Sequence, residues 1–216
     1  MSFFLSLARG DFEARNLLKE AVIARYATRP LPLEAVVLTL RRHERAFLGL
    51  PLSLTVEAAY AEPDRWSWQE RRTFFGIPLS KRSYSLDGQA DPLLRESLRR
   101  QQWAFRAFLL TPLTREGVTL KAVAERAFQA VHDSQPEDIA TLYLNPDFTL
   151  AAVEVERYRA SDERHLPYML RPEGGYRTLN GVNLPVQIAE RWGSEPSIVY
   201  TVSAIEQINR WQQRSA

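Results

Sequence analysis

The chain has 216 residues, of which 45% are hydrophobic and 25% are charged, and its formal charge is +2. This composition is typical of a globular protein, and no run approaches the roughly 18 consecutive apolar residues of a membrane-spanning helix. The charge is too evenly balanced to indicate nucleic acid as a partner. The absence of cysteine excludes disulfides, thiolate catalysis and cysteine-ligated metals.

The first thirty residues are predicted to contain one helix. The apolar spacing over residues 11–27 indicates an amphipathic helix with Asp11 as its N-cap, and the prolines of residues 28–32 should end it. The short apolar patch before it lacks a basic region and a small-residue cleavage site, so it does not resemble a secretory signal. We therefore expect a cytoplasmic protein, or a periplasmic one if a signal has been removed.

Residues 33–88 are predicted to form the first strands of a sheet, because apolar and polar side chains alternate in several short runs. Two strands are expected between Leu33 and Tyr60, followed by a turn at residues 62–64. A third strand is expected over Trp66 to Phe75 and a fourth over Lys81 to Leu86, with a break at residues 76–78 between them.

A second helix is predicted over residues 91–110. Asp91 offers a capping carboxylate, and Pro92 has its φ angle already fixed near the helical value. Leu94, Leu98 and Phe105 then mark one face. Thr111 and Pro112 should end this helix.

Residues 139–208 carry β-branched and aromatic residues between turn signals, which predicts an antiparallel meander. The clearest strands are Ile139 to Leu144, Phe148 to Tyr158, Pro185 to Trp192 and Ser197 to Ile205. Asn180 and Gly181 are suited to the positive φ angles of a two-residue hairpin turn. We also interpret Gly174 and Gly175 as a turn.

The segment from Gly175 to Pro185, followed by Gln187, Glu190 and Trp192, resembles the last hairpin of a LolA-like family related to bacterial lipoprotein carriers. In that pattern an aromatic-containing strand reaches a glycine turn, then an aliphatic-x-aliphatic-proline step, and then a strand that ends in tryptophan. Residues 117–157 resemble the central meander of the same family, and Trp103 to Leu110 resembles its helix end.

This resemblance covers about residues 33–208 and implies an α+β fold. It implies a curved antiparallel sheet that forms a half-open barrel, with helices plugging the open side and an apolar cavity between the layers. The apolar period of Val118 to His132 alone predicts a helix, but the resemblance implies two strands there. With these strands, the meander spans residues 118–208. We treat residues 1–216 as a single domain, because nothing in the sequence marks a boundary.

The cavity that the resemblance implies has six aromatic candidates for its lining. For each of them, ordinary core packing is the competing interpretation. The candidate ligand-binding residues are Trp103, Phe105, Phe108, Phe128, Tyr143 and Trp192.

The polar residues do not form a recognisable reacting set. The three histidines lie far apart without a metal-ligand spacing, so neither a metal nor a cofactor is expected. Glu154 and Glu156 share one strand face and could form an acid pair, although solvated outward charges explain the spacing more simply. Arg157 to Arg159 and Glu190 to Arg191 could place charge at a cavity mouth or form cross-strand ion pairs. The histidines are His43, His132 and His165.

The leading hypothesis is noncatalytic binding or carrying of a hydrophobic ligand, an acyl chain or lipid-like molecule, in an apolar cavity. A protein partner and peripheral contact with a membrane are compatible with this hypothesis. One alternative is a hydrolase or isomerase that acts on a hydrophobic small molecule in the same cavity. The other is a protein-interaction module whose core is filled.

Overall fold

The computed structural model describes residues 8–26, 33–45, 51–61 and 65–207. The predicted helix stop at residues 28–32 and the predicted turn at residues 62–64 lie outside these ranges. Helix α1 spans Phe12–Tyr26 and helix α2 spans Pro92–Leu109, and a 3₁₀ turn follows at Thr111–Thr114. The strands are β1 (Arg9–Gly10), β2 (Ala35–Arg45), β3 (Pro51–Ala61), β4 (Arg65–Phe74), β5 (Ile77–Ser85), β6 (Val118–Ala124), β7 (Ala127–His132), β8 (Gln135–Leu144), β9 (Leu150–Arg159), β10 (Arg164–Leu179), β11 (Val182–Trp192) and β12 (Ile198–Gln207).

All twelve strands of the described ranges belong to one unclosed sheet with the order β1-β6-β7-β8-β9-β10-β11-β12-β2-β3-β4-β5. The short β1 runs parallel to β6, and every other neighbouring pair is antiparallel. Helix α2 contacts β8 and β9 as well as β4, although β9 and β4 are six positions apart in this order. The sheet therefore curls around α2. The predicted fold class, a curved antiparallel half-open barrel with two helices, is confirmed.

Helix α2 begins where the sequence predicts. The Asp91 carboxylate accepts hydrogen bonds from the backbone N–H of Leu93 at 2.9 Å and of Leu94 at 3.4 Å, and Pro92 occupies the first helical position. The helix ends at Leu110, whose φ of 65° departs from the helical region. The Asp91 cap fixes the N-terminal end of α2, which borders the cleft described below.

The main core lies between the C-terminal half of α2 and the concave face of the sheet. Phe108 and Leu110 are fully buried there, as is Phe128 on β7. Helix α1 closes this region, because the Tyr26 hydroxyl donates to the Leu109 carbonyl at 2.8 Å and the Arg25 guanidinium donates to the Phe108 carbonyl. The two helices are therefore held together at their C-terminal ends.

Residues 118–132 form two strands, as the family resemblance predicts and the apolar period does not. The turn at residues 125–126 shifts the phase of the pattern, so that Leu120 and Ala130 pair across β6 and β7 with both side chains buried. A helical stripe would have buried Val123, which is 45% exposed. The period looked helical because a turn of two residues joins two alternating runs.

One predicted break in the sheet is wrong, and another is displaced by one residue. Gly174 and Gly175 do not form a turn, because β10 continues through them as a bulge between Glu173 and Tyr176. Their φ angles of 72° and 76° are accommodated by that bulge. The break predicted at residues 76–78 lies at Phe75 and Gly76, because β5 already begins at Ile77. Pro78 is tolerated within β5 because this is an edge strand, and its outer side has no neighbouring strand that needs a backbone N–H.

The parallel pairing of β1 with β6, which the sequence did not predict, depends on a glycine. Gly10 has a φ of 107°, and a Cβ atom at this position would lie 1.9 Å from the Leu120 carbonyl oxygen. The next residue, Asp11, stands at the start of α1 as predicted, but its carboxylate accepts the backbone N–H of Ala122 at 3.0 Å. Helix α1 is thus anchored to the sheet through this close approach.

We expect Gly10→Ala to destabilise the protein more than Gly117→Ala does. Both glycines have positive φ angles, which cost an alanine about 1–2 kcal/mol, but Gly117 has open space where the methyl group would lie. The clash at Gly10 should add about 2 kcal/mol or more to the loss in the free energy of unfolding. Urea denaturation followed by circular dichroism measures both variants. Equal losses would contradict the close approach.

Candidate ligand-binding cleft beside helix α2

A cleft of about 350 Å³ opens between the N-terminal half of α2 and the concave face of the sheet. Strands β4 and β5 form one side of it, and β9, β11 and β12 form the other. Small-molecule sites in proteins typically have volumes of about 300–1,000 Å³. Its apolar lining comes mainly from Trp68, Tyr84, Leu94, Leu98, Trp192 and Ile198.

One wall of the cleft is fixed by a reciprocal pair of hydrogen bonds between α2 and β9. The Arg157 Nε donates to the Ser97 carbonyl at 3.0 Å, and the Ser97 hydroxyl donates to the Tyr158 carbonyl at 2.7 Å. On the opposite side, the Gln102 amide donates to the Arg65 carbonyl at 3.2 Å. Helix α2 is therefore attached to both walls, and its position determines the width of the cleft.

Arg157 is a buried cation at the inner end of the cleft. Its guanidinium carbon lies 4.3 Å from the centre of the Tyr168 ring and 4.7 Å from that of the Trp192 ring. The two rings meet edge to face, with their centres 4.9 Å apart. Burial lowers the pKa of Arg157 from its ordinary value, and the neighbouring Tyr168 and Glu190 oppose that change. Cation–π contacts of this kind replace part of the lost hydration.

Glu190 is the buried acid of the same cleft. The Trp192 indole N–H donates to its carboxylate at 3.3 Å, in the same way that the Trp68 indole donates to Glu70 at 3.0 Å on the other side. Burial raises the pKa of Glu190, and the charge of Arg157 opposes that rise. Burial, and then the charges of Glu190 and Glu70, raise the pKa of Tyr200. The inner end of the cleft is therefore polar and poorly hydrated.

A second arginine, Arg159, lies at the rim. Its guanidinium donates to the carboxylates of Asp162 and Glu195, and these hydrogen bonds raise its pKa. The same bonds lower the pKa values of Asp162 and Glu195. Arg159 is therefore neutralised by its own neighbours, and Arg157 is the cation that faces the cleft interior.

Of the six aromatic residues predicted to line a cavity, the structure brings Trp192 to this cleft. Phe105 packs against Trp66 with ring centres 5.2 Å apart, and the Trp103 indole donates to the Ala130 carbonyl at 3.0 Å. The others lie elsewhere: Phe108 and Phe128 are fully buried in the main core, and Tyr143 is 39% exposed on β8. Whether these six residues contact a ligand stays a prediction.

Arg157 and Glu190 are not among the site residues predicted from the sequence, which indicated only that charge could lie at a cavity mouth. A usable pattern was present, because Arg157 continues the inward phase of Val153 and Val155 on β9. Glu190 likewise follows the buried Ile188 on β11. A charged residue that continues the buried face of a strand indicates either a buried ion pair or a ligand-binding site.

The histidines predicted to be dispersed each have a local neighbour. His165 Nε2 lies 3.2 Å from the Glu96 carboxylate, His132 Nδ1 lies 3.0 Å from the Ser134 hydroxyl, and His43 Nδ1 lies 3.5 Å from the Ser53 hydroxyl. Within the ranges that the structure describes, no group of three or more histidine, aspartate or glutamate side chains could hold a metal ion. No helix in those ranges is long and apolar enough to cross a membrane.

The comparisons with known proteins give matches in structure alone. No protein-family model and no curated protein matches the chain in sequence. A LolA superfamily protein from Nitrosomonas europaea is 12% identical, with 91% of this chain and 94% of that one covered and a TM-score of 0.42. An outer membrane lipoprotein-sorting protein domain from Vibrio parahaemolyticus is 10% identical, with 93% and 95% covered and a TM-score of 0.39. The first of these two proteins is described as a member of the superfamily that the sequence resembles.

The raised pKa of Glu190 makes a prediction about stability against pH. As the pH rises, the unfolded state loses this proton first, because its pKa is lower than that of the folded state. The free energy of the folded state therefore rises relative to that of the unfolded state until the pH passes the folded pKa. The free energy of unfolding of the wild type, relative to Glu190→Gln, should therefore fall between about pH 4.5 and the folded pKa and then level off. Each unit of difference between the two pKa values contributes about 1.4 kcal/mol. Urea denaturation of both proteins from pH 5 to pH 8 measures this, and a pH-independent difference would contradict it.

Proposed function

We propose that this chain is a noncatalytic carrier that binds the acyl chain of an amphiphilic ligand in the cleft beside α2. One observation carries the proposal. The cleft has an apolar wall formed by Leu94, Leu98 and Ile198, and a buried polar end formed by Arg157 and Glu190. This division matches a molecule with an apolar chain and a polar head.

The apolar wall accounts for affinity. Removing one methylene from water contributes about 0.8 kcal/mol, so a chain of six buried methylenes would contribute roughly 5 kcal/mol before ordering costs. Trp68 and Tyr84 extend this wall along β4 and β5. Flat aromatic surfaces bind a flexible chain without requiring one fixed conformation of it.

The polar end accounts for orientation. Arg157 is held in place by the Ser97 carbonyl and by the Tyr168 and Trp192 rings, so little side-chain freedom is left to lose on binding. Its Nη1 has no hydrogen-bond partner within the part of the chain that the structure describes. This atom is fully buried, so a carboxylate or another anionic head group would supply the acceptor after a small shift of the Arg157 side chain toward the cleft. We therefore place the head group of the ligand at Arg157.

The alternatives from the sequence stay predictions. A hydrolase or isomerase in this cleft would depend on Glu190, whose raised pKa suits a general acid or base. The carrier is favoured because both Glu190 and Glu70 are already engaged by indole N–H groups. The identity of the ligand, the protein partner and the cellular compartment are likewise matters of prediction.

We expect Ile198→Asp to weaken the binding of dodecanoate by tenfold or more, and Val199→Asp to leave it unchanged. The two residues are neighbours on β12, but Ile198 lines the cleft and Val199 is exposed on the opposite face. Isothermal titration calorimetry measures both affinities, and circular dichroism checks that each variant is folded. Val199→Asp is the control for placing a charge on this strand.

Chain length gives a second measure in the same titration. Shortening the ligand from dodecanoate to decanoate removes two methylenes, which should weaken binding roughly 10- to 15-fold if both were buried. If the wild type binds none of these acids, or if Val199→Asp weakens binding as much as Ile198→Asp does, the proposed site is wrong.

A further inference from the structure

The hairpin formed by β4 and β5 carries an exposed apolar tip. Its two-residue turn consists of Phe75 and Gly76, and Phe75 is 69% exposed. Ile77 and Leu79, which follow on the edge strand β5, are 64% and 61% exposed. Three large apolar side chains on one hairpin tip, away from the core, contribute little to folding.

The turn itself is an unusual place for an aromatic residue. Phe75 has a φ of 48°, and two-residue hairpin turns with positive φ angles favour asparagine, aspartate or glycine at this position. Phenylalanine incurs a conformational penalty here and gains only an edge-to-face contact with Phe74, whose ring centre lies 4.7 Å away. Backbone positions held in such conformations are concentrated at functional sites.

Four cations flank the tip, and no acidic residue lies between Glu70 and Asp87. Arg71 and Lys81 face each other across β4 and β5, an arrangement of like charges that destabilises a strand pair. Arg72 and Arg82 occupy positions of the opposite phase, so cations lie on both faces of the hairpin, although Arg82 lies directly across from Glu70. Two acids lie at its base: Glu57 and Glu70 border the same shallow depression as Arg71 and Lys81.

We propose that residues 71–82, which we call the basic hairpin tip, dock onto an anionic lipid surface. The apolar side chains of Phe75, Ile77 and Leu79 would enter the boundary of the acyl region, and the four cations would meet the negative head groups. A bilayer with anionic lipids offers both kinds of partner in one plane. That plane complements a tip with exposed apolar side chains and positive charge on both faces.

The basic hairpin tip is continuous with the cleft. Trp68 and Tyr84, which pair with each other at the base of this hairpin, line the cleft, and Phe75 lies seven residues beyond Trp68. At about 3.3 Å per residue the tip is roughly 23 Å away along the strand. Docking would therefore hold the cleft roughly 23 Å from the lipid surface, at the other end of the same hairpin. The docking site goes beyond the proposed carrier function and does not require it.

The test is cosedimentation of the full chain with two kinds of vesicle. We expect binding to vesicles of equal parts phosphatidylglycerol and phosphatidylcholine, and much weaker binding to pure phosphatidylcholine. Raising the salt concentration should weaken the binding to the anionic vesicles.

Paired variants test the residues. Arg71→Gln combined with Lys81→Gln should weaken binding roughly 30-fold, since each basic residue near an anionic surface contributes about fivefold. Lys19→Gln combined with Arg171→Gln removes the same charge from exposed positions elsewhere and should have a small effect. Phe75→Ser should weaken binding about tenfold or more, whereas Phe12→Ser, at a residue that is 72% exposed on α1, should not.

Failure of docking and failure of the carrier function are distinguishable. Ile198→Asp, which changes the cleft, should bind anionic vesicles like the wild type. If the wild type stays in the supernatant with anionic vesicles, the docking proposal is wrong, and a protein would be the partner to examine next. Equal effects of the tip variants and their controls would also overturn the docking proposal. Binding would then follow net charge or exposed apolar surface in general and not the basic hairpin tip.

Discussion

Helix α2 is hydrogen-bonded to two strands that are six positions apart in the sheet, and the shape of the molecule depends on this double attachment. Ser97 connects the helix to β9, and Gln102 connects it to β4. A flat sheet could not reach both sides of one helix, so the sheet must curl. The C-terminal half of α2 is enclosed by the main core, whereas the N-terminal half borders the cleft. The same attachments that form the fold therefore form the candidate site.

The buried charges in the cleft are not explained by stability alone. Transferring an ion pair out of water costs several kcal/mol per ion, and replacing such a pair with apolar residues is often neutral or stabilising. Here Arg157 is compensated by the Ser97 carbonyl and two aromatic rings, and Glu190 by the Trp192 indole. These contacts hold the polar groups in fixed positions beside an apolar wall. A site that orients an amphiphile, as we propose, requires such an arrangement.

Much of the fold could be predicted from the sequence, because the conformations that neighbouring residues favour are the ones that the fold contains. Strand alternation, the Asp91 cap and the turn at Asn180 and Gly181 all act over a few residues. The errors arose where distant contacts decide: the bulge at Gly174 depends on β11, and Pro78 is tolerated because β5 is an edge strand. The site was harder to predict. An aromatic residue becomes core or cleft lining according to where α2 crosses the sheet, and sequence periodicity does not contain that information.

The position of a bound acyl chain tests the central claim most directly, and tryptophan quenching by a bromine-labelled fatty acid measures it. If the chain lies in the cleft, replacing Trp68 or Trp192 by phenylalanine should remove much of the quenching, because both residues line it. Trp103→Phe should leave the quenching unchanged, because the Trp103 indole is bonded to the Ala130 carbonyl of β7, away from the cleft. Quenching that disappears only with Trp103→Phe, or no quenching in the wild type, would contradict the account.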